Sequence, residues 1–116
     1  MVRDGDHWLL FAKNETEIPA PVKNIFMVRA PSPDGSWTKP GAPLPPAGVW
    51  VEGPTAIKVG EWWHVYFDKY REHKYGVVRS KDLANWEDIS DQLVVPSGIR
   101  HGTVLRVRRA LVDALK

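Results

Sequence analysis

The sequence contains no cysteine in its 116 residues, so it can form neither a disulfide framework nor a thiolate metal site. It has no apolar run long enough to span a membrane, and residues 1–6 lack the apolar core of a secretory signal. We therefore expect a cytoplasmic protein in this form, with secretion of a full-length parent left open. The formal net charge is only +2. The arginines at 106–109 are better explained as a solvated strand end than as a nucleic-acid contact.

What the sequence has instead is short aromatic and aliphatic segments separated by turn signals. The segments typical of strands are residues 7–13, 24–30, 36–38, 55–59, 61–67, 75–80, 86–89 and 103–107. Residues 39–48 hold four of the ten prolines and must form a surface loop. Residues 109–116 alone have a helical pattern, with apolar side chains on one face. The chain is predicted to be all-β with a short C-terminal helix.

The most informative feature is an internal repeat. The aligned pairs are residues 2–11 with 57–66, 27–30 with 77–80, Trp37 with Trp86, and 55–59 with 103–107. A period of roughly 50 residues with four strands in each unit is typical of β-propeller blades. A β-sandwich also has many short strands, but it does not produce this recurrence.

The repeat predicts one partial propeller domain. Its parts are a blade at 1–48, a second blade at 49–98, and the first strand of a third blade with a C-terminal helix at 99–116. Because about three repeats are usually needed for stability, two blades leave sheet faces uncovered. We expect those faces to carry Leu9, Phe11, Val65 and Phe67. Either a homodimer, which uses one patch on both chains, or missing N-terminal blades would cover them.

Glu52 is the strongest candidate for chemistry. It precedes Gly53 and Pro54 at the start of a predicted strand, where glycine permits a tight backbone and proline fixes the entry. The first strand of each propeller blade lines the central axis, so this carboxylate would point into a central pocket beside Trp50. Burial next to an indole raises a carboxyl pKa, as a general acid requires. Taken alone, Glu52 is better explained as a solvated loop residue.

Four segments in this order closely resemble glycoside hydrolase family 43. They are Trp-Val-Glu-Gly-Pro-Thr-Ala at 50–56, Gly-Glu-Trp-Trp-His-Val-Tyr-Phe-Asp at 60–68, the Val-Val-Arg-Ser-Lys-Asp run at 77–88, and Arg-His-Gly-Thr-Val at 100–104. The resemblance covers essentially the whole chain and corresponds to the C-terminal portion of the family. It implies a five-bladed propeller, a carbohydrate partner, and inverting hydrolysis of arabinose-, xylose- or galactose-containing glycans as the parent activity.

The resemblance also implies roles for single residues. Glu52 matches the general acid of the family. His101 matches a histidine near the axis, often close to a bound metal or water cluster, and an ordinary hydrogen-bonded strand-end histidine is the alternative. Because residues 55–59 recur at 103–107, we expect Glu52 and His101 to lie close together at the starts of neighbouring inner strands. No cofactor is required, and calcium is the possible metal, linked to His101 indirectly. Trp50, Tyr70 and Arg71 would border the substrate.

Other residues match the family less specifically. Lys13 and Glu15 fall where it often places polar groups near the pocket, with a surface loop as the alternative. Residues 80–86 resemble its blade-turn motif, in which Asp82 forms the turn and Trp86 fills the space between blades, as Trp37 would one blade earlier.

The departures from the family matter as much as the matches. An inverting glycosidase needs a base carboxylate opposite the acid. In the family, this aspartate and a second one that tunes the acid precede the positions matching residues 1–6. We therefore expect a truncated chain that is inactive alone. The alternative is a carbohydrate-binding or blade-pairing module without catalysis, with Trp50, Trp62, Trp63 and Tyr70 as aromatic platforms.

Overall fold

A computed structural model describes residues 1–115 and places the strands in two antiparallel sheets. Sheet 1 contains β1 (Val2–Asp4), β2 (His7–Lys13) and β3 (Ile25–Ala30). Sheet 2 contains β4 (Glu52–Val59), β5 (Trp62–Lys69), β6 (Lys74–Ser80) and β7 (Glu87–Asp88). A 3-10 helix (Ser90–Gln92) and α1 (Arg109–Asp113) follow. The all-β class is confirmed, and no helix among residues 1–115 is long and apolar enough to cross a membrane.

The strand predicted at 36–38 is wrong, although this segment lies where a fourth strand of sheet 1 would be. The Thr38 amide donates to the Arg29 carbonyl at 2.8 Å, and the Leu44 amide donates to the Ile25 carbonyl at 2.8 Å. The chain therefore follows the edge of β3 with widely spaced hydrogen bonds. Prolines between these contacts have no N–H to donate, so a regular ladder cannot form.

The strand predicted at 103–107 is also wrong. This segment runs beside β4, but side chains make the contacts. The Val104 amide donates to Oγ1 of Thr55 at 3.3 Å, and the Arg106 guanidinium donates to the Lys58 carbonyl at 2.8 Å. The predicted helix is shorter than expected and ends at Asp113. Residue 116 of that prediction lies outside the described residues.

The internal repeat is present in the strand register. Trp8 pairs with Ala30 in sheet 1, as the aligned Trp63 pairs with Ser80 in sheet 2. The first hairpin of each sheet turns through two residues that begin with a glycine at positive φ, Gly5 at +56° and Gly60 at +60°. A two-residue hairpin loop needs such a conformation, and glycine supplies it. The two sheets are therefore copies of one supersecondary unit.

The core lies between the two sheets. It is formed by one face of each, chiefly Leu9, Phe11 and Ile25 from sheet 1 and Trp63, Val65, Phe67 and Val78 from sheet 2. Leu9, Val65 and Phe67 have 0% exposure, and Phe11 has 6%. The expectation that these four residues lie on uncovered faces is wrong, because the two sheets cover each other with them.

The turn at 80–86 has the structural role expected for it. Oδ1 of Asp82 accepts hydrogen bonds from the amides of Ala84 at 2.9 Å and Asn85 at 2.8 Å. These bonds lower the pKa of Asp82. The turn delivers Trp86 to the sheet interface, where its ring meets Phe11 edge to face at 5.9 Å between centroids.

Truncating the core should be far more costly than truncating the surface. We expect Phe67→Ala to lower the free energy of unfolding by about 3–5 kcal/mol, because a buried ring leaves a cavity. Leu105 is 67% exposed, so Leu105→Ala is the control and should change stability by less than about 0.5 kcal/mol. Urea unfolding, monitored by tryptophan fluorescence, measures the change in the free energy of unfolding for both variants. Equal costs for the two variants would contradict the packing of sheet 1 on sheet 2.

Candidate functional site

Glu52 opens β4 at an irregular point of sheet 2. It pairs with Asp68 of β5, and the regular ladder resumes only at Thr55. Between them, Gly53 has a φ of +59°, which favours glycine, and Pro54 has no N–H to give to the sheet. Such a bulge redirects the neighbouring side chains and is common next to functional sites.

The Glu52 carboxylate joins three segments that are far apart in sequence. Its Oε2 accepts a hydrogen bond at 2.9 Å from Nζ of Lys13, at the end of β2. Its Oε1 lies 3.0 Å from Nε2 of His101 and 3.8 Å from the guanidinium of Arg100. The expected proximity of Glu52 and His101 is confirmed, although His101 lies in a loop and does not precede a strand.

These contacts lower the pKa of Glu52 below its ordinary value of 4.5. The hydrogen bond from Lys13 is the main cause, burial acts in the opposite direction, and His101 lowers the pKa further. The expectation of a raised pKa is therefore wrong for this structure, because the neighbouring cation outweighs burial. At neutral pH Glu52 is a carboxylate, which accepts hydrogen bonds and has no proton to donate.

Lys13 belongs to a row of alternating charges. Its Nζ lies 2.7 Å from Glu15, whose other oxygen lies 2.6 Å from Nζ of Lys23, and Lys23 also bonds Glu17. Burial acts to lower the pKa of Lys13, but the hydrogen bonds to Glu15 and Glu52 raise it on balance. Lys13 and Glu15, which the sequence placed only loosely near the pocket, are thus linked to Glu52 by direct contacts.

An aromatic surface continues from Lys13. Its Nζ lies 4.9 Å from the centroid of the Tyr70 ring, which in turn lies 6.1 Å from the ring of Trp50. The guanidinium of Arg71 lies 3.3 Å from the centroid of the Trp50 ring. The residues to which the resemblance assigned catalytic or substrate-binding roles therefore lie on one continuous surface. We call it the Glu52 patch, and it consists of Lys13, Trp50, Glu52, Tyr70, Arg71 and His101.

Two other aromatic candidates lie elsewhere. Trp63 is 2% exposed and belongs to the core, so it cannot offer its ring to a sugar. Trp62 is half-buried on the opposite face of β5, between Arg79 and Lys81. The carbohydrate platform expected from four aromatic residues is therefore reduced to Trp50 and Tyr70.

The loop that carries His101 is held against sheet 2. The hydroxyl of Tyr75 donates to the carbonyl of Gly102 at 3.4 Å. A Cβ placed on Gly53 would lie 2.4 Å from Nδ1 of His101, a distance that no real contact allows. Gly53 thus has two functions: it adopts the positive φ of the bulge, and it leaves room for the imidazole beside Glu52.

Two residues of the site were missed in the sequence. Asp68 is fully buried, and its Oδ2 accepts a hydrogen bond from Nε of Arg100 and lies 3.8 Å from Nε2 of His101. Its Oδ1 has no hydrogen-bond partner among the described residues. An aspartate that ends the apolar alternation of β5 was the available signal, because a buried carboxylate needs a cationic partner. Arg100, which precedes His101 in the sequence, was the residue to consider as that cationic partner.

Glu52, Asp68 and His101 form a group that could hold a metal ion, since one ligand atom from each lies within 4.8 Å of the others. Calcium, the metal implied by the resemblance, fits these residues poorly. It takes about six to eight oxygen ligands, whereas this group offers two carboxylates and one imidazole. Lys13 and Arg100 already neutralise those carboxylates, so a metal ion would have to displace them.

An open cleft of about 590 Å³ lies on the other side of His101. It is lined by the first two residues, by residues 53–56 and by residues 101–104. Glu52 does not line it, but its neighbours Gly53 and His101 do. His101, which is 55% exposed, thus contacts the Glu52 carboxylate and also forms part of the wall of the cleft.

Comparisons with family models, with curated proteins and with solved structures give no match to this chain. The site must accordingly be interpreted from its own chemistry. It combines the ionised carboxylate of Glu52 with one ammonium, two guanidinium groups, an imidazole and two aromatic rings, all partly accessible, and with the buried carboxyl group of Asp68.

The lowered pKa predicts how stability depends on pH. Because the pKa of Glu52 is lower in the folded than in the unfolded chain, its contribution is present above its ordinary pKa and is lost as the pH falls through the folded value. We expect Glu52→Gln to cost roughly 0.5–1 kcal/mol at neutral pH, as partly exposed ion pairs do. The difference from the wild type should then vanish in acid.

Urea unfolding of both proteins at a series of pH values measures this difference. The exposed Glu61, which pairs with Lys81 at 3.2 Å, provides the matched control Glu61→Gln, which should change little at any pH. A Glu52→Gln cost that stays constant into acid would show that the charge of Glu52 is not what stabilises the site.

Proposed function

We propose that the chain is a partial propeller similar to glycoside hydrolase family 43, and that its Glu52 patch binds an arabinose- or xylose-containing glycan without hydrolysing it in the state described. One observation carries this proposal. The resemblance assigns sugar contact to residues in separate segments of the chain, and these residues meet on one surface around Glu52.

The arrangement of the sheets supports the propeller. The two repeats have the same strand register. The contact between them joins one face of the repeated unit in sheet 1 to the opposite face of that unit in sheet 2. Propeller blades stack in this front-to-back manner around an axis. We interpret residues 1–48 and 49–98 as two blades, with residues 99–116 supplying the edge of a third.

The chemistry of the patch suits a sugar. Sugar-binding sites combine aromatic surfaces with a few fixed polar groups that orient the ligand. Arg71 covers one face of Trp50 and Lys13 lies over the ring of Tyr70, so a sugar ring would have to stack on the remaining face of either side chain. The ionised Glu52 accepts hydrogen bonds from sugar hydroxyls, and Lys13 and His101 can donate to ring and hydroxyl oxygens.

Catalysis is disfavoured by two features of the same site. A general acid must carry a proton, whereas Lys13 and His101 keep Glu52 ionised. An inverting enzyme also needs a base carboxylate about 6.5–9.5 Å from the acid. The neighbouring Asp68 offers an oxygen within 4.8 Å of Glu52, and it is buried and bonded to Arg100, so it cannot activate a water in that role.

Hydrolysis remains the second candidate, with Glu52 as the proton donor. It is favoured by the position of Glu52 at a strand start, half-buried beside a bulge. It would require a further carboxylate as base and a change that removes Lys13 from Oε2, because the Lys13 hydrogen bond is the largest of the influences that lower the pKa of Glu52. The other expected partner, a second copy of the chain, was expected on faces that carry Leu9, Phe11, Val65 and Phe67, and the two sheets bury those residues against each other.

Binding is tested by titrating xylo- and arabino-oligosaccharides into the protein and following amide shifts by NMR. Loss of an aromatic platform typically costs one or two kcal/mol, so we expect Trp50→Ala to weaken binding about tenfold. Glu52→Gln should weaken it less, since an amide still accepts hydrogen bonds. Trp62→Ala is the matched control and should bind normally. Equal affinities of Trp50→Ala and Trp62→Ala would contradict the location of the site.

Turnover is tested separately with aryl arabinosides and xylosides. We expect no hydrolysis by the chain alone, because its acid is ionised and none of residues 1–115 has been identified as a base opposite it. Hydrolysis that disappears in Glu52→Gln would contradict this expectation and would establish the second candidate in its place. Hydrolysis that persists in Glu52→Gln would point to a contaminating enzyme or to another site.

A further inference from the structure

Two arginines in the described part of the chain lie over tryptophan rings, and only one of them has a carboxylate partner. The guanidinium carbon of Arg79 lies 4.4 Å from the centroid of the Trp62 ring, and Nε of Arg79 donates to Glu87 at 2.9 Å. The guanidinium carbon of Arg71 lies 3.3 Å from the centroid of the Trp50 ring. Among residues 1–115, no carboxylate forms an ion pair with this second guanidinium.

The other cationic side chains of the Glu52 patch already have acidic partners. Nζ of Lys13 lies 2.7 Å from Glu15 and 2.9 Å from Glu52, and Nε2 of His101 lies 3.0 Å from Glu52. Arg71 therefore supplies the uncompensated positive charge of this patch. A ligand that brings a negative charge to the patch would find its partner there.

Arg71 is exposed, yet its position is restricted. It lies in the turn at 70–73 between β5 and β6, in which the Glu72 amide donates to the Lys69 carbonyl at 2.9 Å. The exposed Glu72 side chain makes no ion pair with Arg71 within the described residues. Contact with the Trp50 ring restrains the long arginine side chain before a ligand arrives, and this lowers the entropy cost of binding.

A guanidinium stacked on an aromatic ring is well suited to a carboxylate. The group is planar, and its N–H donors lie along its edge, so the ring covers a face of the guanidinium and leaves the donors accessible. A carboxylate can accept two parallel hydrogen bonds from such an edge, and these charge-assisted bonds are stronger than those made by a neutral hydroxyl. The chemistry of Arg71 thus favours an acidic ligand over a neutral one.

We propose that the Glu52 patch binds a glycan that carries a carboxylate, as a uronic acid side group does, and that Arg71 recognises this group. The inference rests on the proposed function, because it takes the patch to be a glycan site, and it adds the charge of the ligand. The sugar rings stack on the remaining faces of Trp50 or Tyr70, and the acid group meets Arg71 beside them. Glu52 presents no unpaired negative charge to such a ligand, because Lys13 is bonded to it.

The inference is tested by titrating two xylo-oligosaccharides of one length, with and without a glucuronic acid side group, and following amide shifts by NMR. We expect the wild type to bind the acidic glycan about fivefold more tightly, as a partly exposed charge-assisted pair provides. The preference should shrink at high salt, which screens exposed charges. Arg71→Gln should bind the two glycans about equally. Arg71→Lys should keep part of the preference, because an ammonium retains the charge but lacks the planar edge.

Arg79→Gln is the matched control, since it removes the other guanidinium that lies over a tryptophan, and it should keep the wild-type preference. The amide spectrum of each variant shows whether it is folded. Binding of the acidic glycan alone, lost in Arg71→Gln, would support the inference and restrict the site to acidic glycans. Equal affinities of the wild type for both glycans, or a preference that survives Arg71→Gln, would overturn the inference and leave the proposed function intact. Binding of neither glycan would overturn both.

Discussion

The packing of Leu9 and Phe11 against Val65 and Phe67 fixes the position of nearly everything else in the chain. It carries the end of β2 to the start of β4, and only for that reason can Lys13 reach the carboxylate of Glu52 at 2.9 Å. A carboxylate and an ammonium from two sheets meet at the rim of an apolar contact. The site is thus a consequence of how the sheets stack, and loosening the core would separate its charges.

Strand patterns and turn glycines identified most of this fold in advance, because they are local and occur twice. The two predicted strands that did not form also have local reasons. Prolines interrupt the edge of sheet 1, and the hydrogen bonds of Val104 and Arg106 to β4 each have a side chain as one partner. Which face of each sheet is covered could not be predicted. Both faces of β2 carry apolar residues, and only the tertiary contact selects Leu9 and Phe11 over Trp8 and Leu10.

The site residues likewise divide into those that could be predicted from the sequence and those that could not. The closeness of Glu52 and His101 followed from the repeat, and Trp50, Tyr70 and Arg71 followed from the resemblance to a known family. The ionisation state of Glu52 did not follow, because it is set by Lys13, which lies 39 residues away in sequence. The buried Asp68 and its partner Arg100 were missed for the same reason, since their pairing spans 32 residues. Long-range charge contacts decide whether such a carboxylate binds or donates a proton.

The account depends most directly on the ionisation of Glu52. An NMR pH titration of its side-chain carboxyl carbon, in the wild type and in Lys13→Met, measures this property at the atom concerned. We predict a pKa below the ordinary value of 4.5 in the wild type and a rise when Lys13 is removed, because burial then acts with less opposition. A wild-type pKa at or above 4.5, unaffected by Lys13→Met, would contradict the account, and only a value raised towards neutral pH would make Glu52 a general acid.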